Sequence, residues 1–165
     1  VIYGLSAHGI SRQTDLTQKE GKRFIDIYFE KYPGIQKYLD GVKASCRESG
    51  YVETLLGRRR YLPDVNARNF RIRSQAERAA INMPLQGTAA ALIKVAMIRI
   101  QKRLQESDMK SLMILQVHDE LIFEVPDEEI PQLESILSEL MPSSIELDVP
   151  VTIEIKKGKD WGTLR

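Results

Sequence analysis

The chain has 165 residues, of which 42 % are hydrophobic, and its formal net charge is +1. This length and apolar content fit one ordinary domain with a real core, and they exclude an intrinsically disordered segment. No apolar run approaches the roughly 20 residues that span a bilayer, and no basic-then-apolar leader opens the chain. The single cysteine, Cys46, cannot form an internal disulfide, which suits a reducing compartment. Because the sequence starts at Val1 in the middle of a pattern, we expect it to be part of a longer protein.

Charge is unevenly distributed along the chain. Residues 57–73 hold six arginines and one acid, Asp64, whereas residues 111–155 hold eleven acidic residues and neither Lys nor Arg. The first segment should attract polyanions, and the second should attract cations or repel phosphate. An arginine-rich run is also typical of a solvated surface, so the sequence leaves phosphate contact open and selects no single arginine.

The first part of the chain reads as two amphipathic helices. Thr17 and Glu20 have the spacing of a capping box, which predicts a helix that begins there and carries an apolar face. Pro33 favours the start of a second helix, and Gly50 favours its end.

A strand pair and a long helical region follow. Residues 51–63 predict two short strands that turn at Gly57. The pattern of residues 67–82 is helical, and we expect a break at Pro84, because the residue before a proline avoids the helical conformation. A second long helix is expected to restart there.

The second half changes to the period of strands. Residues 112–125 predict a hairpin, residues 127–141 a helix and residues 149–157 a closing strand. The fold class is therefore α+β, with a ββαβ half whose antiparallel sheet packs on the long helix. We place the boundary between a helical region with a short strand pair, residues 1–83, and the sheet-bearing region, residues 84–165.

The stretch SLMILQVHDELIFEV, residues 111–125, places three ionisable side chains between two apolar arms. If residues 112–117 and 120–125 are the arms, His118 and Asp119 form the turn. Tight hairpins prefer Asn-Gly, Asp-Gly or Gly-Gly there, since these residues tolerate positive φ, so His-Asp is a poor local choice. Poor turn residues at an exposed tip are what a functional site would require.

The two carboxylates at this tip, Asp119 and Glu120, could hold Mg²⁺, which takes oxygen ligands and often keeps water and substrate phosphates. A solvated acidic turn and a helix through the whole stretch are the alternatives. A two-metal phosphoryl-transfer site would need at least one further carboxylate from elsewhere. A metal-dependent hydrolase using His118 as a third ligand would need more histidines, and only His8 remains.

Four motifs carry a resemblance to a known family. In chain order they read VIYGLSAHGIS, YVETLLGRRRYLPD, RSQAERAAINMPLQGTAA and LQVHDELIFEVP. Together they resemble family A DNA polymerases of the bacterial DNA polymerase I type, from the end of the nucleotide-binding helix of the fingers through the palm to the C-terminus. The resemblance covers essentially the whole chain but less than half of that family's polymerase module. One departure is Ala91, which stands where the family has an acid.

The resemblance implies template-directed addition of dNTPs to a primer 3′-hydroxyl by two-metal phosphoryl transfer with Mg²⁺. It implies that Asp119 is a metal-binding catalytic carboxylate and that Glu120 lies in the same metal site with a supporting role. His118 corresponds to a residue near the primer 3′ end. The family's other catalytic aspartate and its triphosphate-gripping residues belong to segments outside this sequence. We therefore expect the chain alone to be inactive and to bind Mg²⁺ weakly.

The resemblance also implies DNA-binding positions. Tyr3 and Gly4 match the end of the fingers helix, where the family's tyrosine stacks at the template base. Arg78, Asn82 and Gln86 match polar positions that face the primer–template, and their fourfold spacing would align them on one helical face. Hydrogen bonds in the minor groove are largely independent of sequence, as a copying enzyme requires.

These residues could instead have purely structural roles. Tyr3 could belong to the core, Arg78 could form a salt bridge with Glu77, and Asn82 could cap a helix.

The implied partners are primer–template DNA and dNTPs, with a monomeric protein, no membrane and a cytoplasmic, nucleoid-associated location. A catalytically silent nucleic-acid-binding domain is the main alternative function, although such a domain has no reason to retain Asp119.

Overall fold

The computed structural model describes residues 1–164, which form two compact units. The first unit is Val1–Thr88 and the second begins at Ala89. The boundary falls within the longest helix of the chain. Each unit has a hydrophobic cluster of its own.

The first unit opens with three helices: α1 (Ala7–Gln13), α2 (Gln18–Lys31) and α3 (Pro33–Ser49). The predicted capping box at the start of α2 is confirmed. The Thr17 hydroxyl accepts a hydrogen bond from the Glu20 amide, and the Glu20 carboxylate accepts one from the Thr17 amide at 2.8 Å. The helix from Pro33 that ends before Gly50 is also confirmed.

The predicted strand pair follows directly. Strands β1 (Tyr51–Glu53) and β2 (Arg59–Tyr61) are antiparallel, and Gly57 has a φ of 75° in the connection, a conformation that glycine adopts without steric cost. The strand pair and α3 pack against the next helix. The buried residues of this first cluster are Cys46, Val52, Leu62, Val65, Ala76, Ala80 and Met83.

Helix α4 (Phe70–Glu106) is continuous, so the predicted break at Pro84 is wrong. Pro84 has no amide hydrogen for the Ala80 carbonyl, which costs one helical hydrogen bond. Tertiary contacts outweigh that loss. Ala80 is fully buried, and the Thr88 hydroxyl donates to the Pro84 carbonyl at 2.6 Å while accepting from the Leu55 amide at 3.1 Å.

The second unit contains an antiparallel hairpin, β3 (Leu112–Val117) and β4 (Glu120–Glu124), followed by helix α5 (Ile130–Leu140). The inner face of the hairpin packs on the C-terminal part of α4, as predicted, and the α+β class is confirmed. A β-bulge interrupts β3 between Met113 and Leu115. The buried residues of this second cluster are Ala96, Ile100, Leu104, Leu133, Ile136, Leu137 and Leu140.

The predicted closing strand over residues 149–157 is wrong. Within the described residues this segment has no ladder partner, so the second half is ββα and its sheet has two strands. Ile153 and Ile155 nevertheless pack against the second cluster. The alternating pattern therefore reports burial on one side, whereas a strand also needs a neighbouring backbone to satisfy its amides and carbonyls.

Helix α4 also contains a long apolar stretch of which less than a quarter is buried. By length and composition this helix could cross a membrane, although no uninterrupted apolar run is that long. Core helices of water-soluble proteins meet the same criterion. Ala96, Ile100 and Leu104 account for part of the apolar content, because they lie in the second cluster.

Ile100→Ala should destabilise the second unit by about 2–5 kcal/mol, because Ile100 is fully buried and its loss leaves a cavity. Ile98→Ala on the same helix is the matched control, since Ile98 is 70 % exposed and its change should stay within about 0.5 kcal/mol. Urea denaturation followed by circular dichroism measures both. Equal effects of the two substitutions would contradict the described packing of α4.

Candidate active site and nucleic-acid interface

The turn of the β3–β4 hairpin consists of His118 and Asp119, as predicted. Val117 pairs with Glu120 across the ladder, which leaves two residues between the strands. His118 has a φ of 53°, in the left-handed region that L-residues rarely adopt. The exposed Gln116 side-chain amide donates to the His118 carbonyl at 3.0 Å and so stabilises the turn. His118 lacks the conformational freedom of glycine, so its backbone is strained here. Such backbone strain is typical of functional sites.

The ionisable side chains of the tip are all exposed. Leu121 and Phe123 pack against the second cluster. Since successive side chains of a strand point to opposite faces, Glu120 lies on the opposite face of β4 from Leu121. Asp119 precedes it in the turn, so both carboxylates are accessible to a ligand from solvent.

The base of the hairpin is fixed by Glu129. Its carboxylate accepts hydrogen bonds from the Lys110 amide at 2.9 Å, the Ser111 amide at 2.9 Å and the Ser111 hydroxyl at 2.6 Å. The Ser111 side-chain hydrogen bond, followed by the Lys110 amide, lowers the pKa of Glu129. Sequence reasoning missed this role, because an acid in the segment before α5 looks like an ordinary residue of a helix start.

The hairpin tip fits Mg²⁺ as a partial site. Asp119 and Glu120 supply two carboxylates, and the described chain contains no group of three or more His, Cys, Asp or Glu side chains that could hold a metal. Mg²⁺ is commonly bound through one or two carboxylates, with water and substrate phosphates completing its shell. A zinc-type hydrolase site needs three or four protein ligands, so the structure gives the hydrolase reading no support.

Arg78, Asn82 and Gln86 lie on one uninterrupted helix, α4, at spacings of four residues. Arg78 and Gln86 are exposed, whereas Asn82 is half-buried. The side-chain oxygen of Asn82 is buried and has no hydrogen-bond partner among the described residues. An orphaned buried acceptor is costly, and a bound ligand or water would satisfy it.

The structure brings Gly4 against Arg78. A Cβ on Gly4 would lie 2.9 Å from Cγ of Arg78, and Gly4 has a φ of 80°, so glycine permits both the close approach and the backbone conformation. The adjoining Tyr3 is 57 % exposed, which contradicts its reading as a core residue. Tyr3, Gly4 and Arg78 therefore belong to one surface of the first unit.

The purely structural roles considered for Arg78 and Asn82 are also contradicted. Glu77 pairs with Arg47 at 2.6 Å and lies 4.0 Å from Arg73, and no described carboxylate pairs with Arg78. Asn82 lies in the interior of α4, so it caps no helix.

The six arginines of residues 57–73 differ in their surroundings. Arg59 pairs with Glu53 at 3.2 Å and lies 4.6 Å from the centre of the Tyr51 ring. Arg73 donates to the Ala67 carbonyl at 3.0 Å. Four arginines have no carboxylate partner among residues 1–164 and remain available to phosphate: Arg58, Arg60, Arg68 and Arg71.

The family model described as DNA polymerase family A matches residues 1–163. The chain belongs to DNA polymerase family A. It is 46 % identical over 161 residues to the DNA polymerase I of Lactococcus lactis subsp. lactis (strain IL1403), and that match covers 98 % of the chain and 18 % of the relative. Bacillus subtilis (strain 168) DNA polymerase I is 45 % identical with the same coverage.

A solved structure of the family is also similar. The POL domain of Pol1 from M. smegmatis, in complex with DNA primer-template and dNTP, matches with a TM-score of 0.94 at 42 % identity. The match covers 99 % of the chain and 29 % of that structure. The resemblance carried by the four motifs is thus confirmed, and the chain spans less than a fifth of the length of the curated relatives.

His118→Gly should change the free energy of unfolding by less than about 1 kcal/mol. Glycine removes the steric strain of the left-handed backbone in the folded state, and this gain offsets the larger conformational entropy of glycine in the unfolded chain. His118→Val should destabilise by about 1–2 kcal/mol, since a β-branched side chain fits this conformation poorly. Thermal unfolding compares the two variants. A glycine variant less stable than the valine variant would contradict the described turn.

The lowered pKa of Glu129 predicts an acid-dependent loss of stability. A carboxyl with a lower pKa in the folded state stabilises above its ordinary value of 4.5, and that contribution disappears as the pH falls through the folded-state pKa. Glu129→Gln should therefore flatten the decline of the urea midpoint below pH 4.5. Glu20 and Glu139 also have lowered pKa values, so some decline should persist in the variant. Identical pH profiles of the variant and the unmodified chain would contradict the stabilising role of the Glu129 hydrogen bonds, the Glu129 clamp.

Proposed function

We propose that this chain is part of a DNA-directed DNA polymerase that adds dNTPs to a primer 3′-hydroxyl under the direction of a template. The observation that carries the proposal is the position of Asp119 in a strained, exposed two-residue turn of a chain that belongs to DNA polymerase family A. The activity belongs to the longer protein, since the chain spans 18 % of its relatives.

Asp119 would hold Mg²⁺ at the hairpin tip, and Glu120 would assist it. When bound, Mg²⁺ in such a site lowers the pKa of the primer 3′-hydroxyl and neutralises charge on the attacked phosphate. The protein supplies two carboxylates on a hairpin whose inner face is packed and whose base is clamped by Glu129. His118, exposed beside them, would contact the primer terminus.

Two-metal phosphoryl transfer requires a further carboxylate, which another segment of the longer polymerase would provide. The described chain offers no group of three or more candidate ligands. We therefore infer that the 165-residue chain by itself binds Mg²⁺ weakly and does not extend primers.

The first unit would hold the primer–template. Tyr3 would stack at the template base, beside Gly4, and Arg78, Asn82 and Gln86 would donate hydrogen bonds to minor-groove acceptors that all base pairs share. The exposure of Tyr3, Arg78 and Gln86 supports this role. The buried Asn82 oxygen, which has no partner among the described residues, is an acceptor, so it would take a hydrogen bond from a minor-groove donor or from water.

The partners we propose are primer–template DNA and dNTPs, and the relative from M. smegmatis was solved with both. A monomeric, cytoplasmic protein associated with the nucleoid and not with a membrane is consistent with bacterial relatives that are DNA polymerase I.

Asp119→Asn in the longer polymerase should lower the rate of primer extension at least about a thousandfold, equivalent to roughly 4 kcal/mol of transition-state stabilisation. DNA affinity should change by less than about threefold, because Asp119 contributes no positive charge to DNA binding. Glu124→Gln, which removes an exposed carboxylate at the other end of β4, is the matched control and should retain activity.

Single-turnover primer extension and a DNA-binding titration separate the two quantities. An Asp119→Asn polymerase with normal rates would contradict the proposal and would favour a silent DNA-binding domain. Extension by the isolated chain that Asp119→Ala abolishes would contradict the inferred inactivity of the chain alone.

A further inference from the structure

The backbone of Gly4 lies directly against the stem of the Arg78 side chain. A Cβ at position 4 would lie 2.9 Å from Cγ of Arg78, 3.3 Å from its Cδ and 3.4 Å from Cδ1 of Ile81. Carbon atoms attract one another best at about 3.5–4.0 Å, so the first of these distances is a clash. The Arg78 stem therefore occupies space that the side chain of any other residue at position 4 would fill.

The charged end of Arg78, in contrast, is unpaired. Within the described part of the chain its guanidinium has neither a carboxylate partner nor a hydrogen-bond acceptor, whereas Arg47, Arg59 and Arg103 each pair with a glutamate. Arg78 is exposed at the protein surface. An arginine with a packed stem and an unpaired head loses less rotamer freedom when it binds a ligand, because part of that freedom is already lost.

The backbone on both sides of Gly4 is held by hydrogen bonds. The Gly4 amide donates to the Val1 carbonyl at 2.9 Å, which closes a tight turn. Two residues after Gly4, the Ser6 hydroxyl caps α1 by accepting a hydrogen bond from the Gly9 amide at 3.1 Å. A side chain added at position 4 would therefore displace the Arg78 stem and leave the backbone in place.

A displacement at Cγ of Arg78 is amplified at the guanidinium. Cδ, Nε and Cζ all follow Cγ, so a change of χ1 or χ2 to another staggered rotamer moves the whole head of the side chain. A hydrogen bond to a fixed acceptor does not survive such a movement, because it requires a narrow range of distance and angle. Tyr3 directly precedes Gly4, so the same contact also fixes the exposed Tyr3 segment relative to the Arg78 stem.

We propose that Gly4 is a positioning residue for Arg78. Its missing Cβ lets the Arg78 stem pack on the Gly4 backbone, which directs the guanidinium toward a minor-groove acceptor of the primer–template. The nature of that acceptor rests on the proposed function. Gly4 acts through Arg78 and makes no DNA contact of its own in this role. Its φ of 80° is a second and separate reason for glycine, and matched variants distinguish the two reasons.

The test is single-turnover primer extension by the longer polymerase on duplexes in which one purine near the primer terminus at a time is replaced by its 3-deaza analogue. The analogue lacks the N3 acceptor of the minor groove and keeps the base pair. At the position that Arg78 contacts, the analogue should slow the unmodified polymerase about tenfold, as expected when a charged donor loses its acceptor. Arg78→Ala should be slow on ordinary DNA and should lose this analogue penalty.

Gly4→Ala should reproduce the behaviour of Arg78→Ala, with an analogue penalty of less than about threefold. When Gly4→Ala is added to Arg78→Ala, extension should change by less than about twofold, because both substitutions remove the same contact. Gly4→Asn should resemble Gly4→Ala, since asparagine tolerates positive φ better but still carries a Cβ. The analogue penalty is a ratio of two rates of one variant, so an unfolded fraction does not alter it.

Gly50→Ala is the matched control for backbone strain. Gly50 has a φ of 78°, and a Cβ added there would have nothing within 4 Å, so this variant has the strain without the clash. It should keep the full analogue penalty. Circular dichroism of each variant verifies that the longer polymerase is folded.

A full analogue penalty in Gly4→Ala would overturn the proposal and leave the Arg78 contact intact. So would a loss of extension on Gly4→Ala that is as large in the Arg78→Ala background as in the unmodified polymerase. Loss of the penalty in Gly50→Ala would also overturn it, because strain alone would then be sufficient. A full penalty in Arg78→Ala, or no penalty at any position in the unmodified polymerase, would overturn both the proposal and the DNA contact assigned to Arg78.

Discussion

The register of the β3–β4 hairpin is the constraint on which the candidate active site depends. Burial of Leu121 and Phe123 against the second cluster fixes which side chains of β4 face inward. A slip of one residue would exchange the two faces and place Glu120 in the core, where an unpaired carboxylate is costly. The same register defines His118 and Asp119 as the turn. Hydrophobic packing thus determines the position of the acidic groups, and the Glu129 clamp fixes the other end of the hairpin.

The two units differ in the sign of the charged side chains that they present. The first presents arginines without carboxylate partners, which suits phosphate, and the second presents carboxylates on a segment without Lys or Arg, which suits a cation. A uniformly basic protein would bind DNA but would hold a divalent metal poorly, and a uniformly acidic one would repel DNA. The net charge of +1 hides this division, so local charge is the informative quantity for function.

Local signals in the sequence were sufficient for most elements. The Thr17–Glu20 capping box, the turn at Gly57 and the two-residue hairpin turn each depend on neighbours in the chain, and each is present. Long-range contacts explain the failures. Helix α4 continues through Pro84 because buried contacts compensate, and the segment near Ile153 lacks a partner strand although its alternation is real. The Glu129 clamp joins atoms 18 and 19 residues apart, which no local pattern predicts.

The β-bulge in β3 has a consequence for the chain in solution. In this part of the longer protein Leu112, Ile114 and Leu115 are 58 %, 55 % and 43 % exposed, and an exposed apolar strand can pair with another chain. The bulge falls among these residues and breaks the regular spacing of backbone donors and acceptors. A second chain that paired with this edge would lose regular hydrogen bonds at the bulge. For the 165-residue chain on its own, the irregularity therefore works against edge-to-edge pairing at these residues.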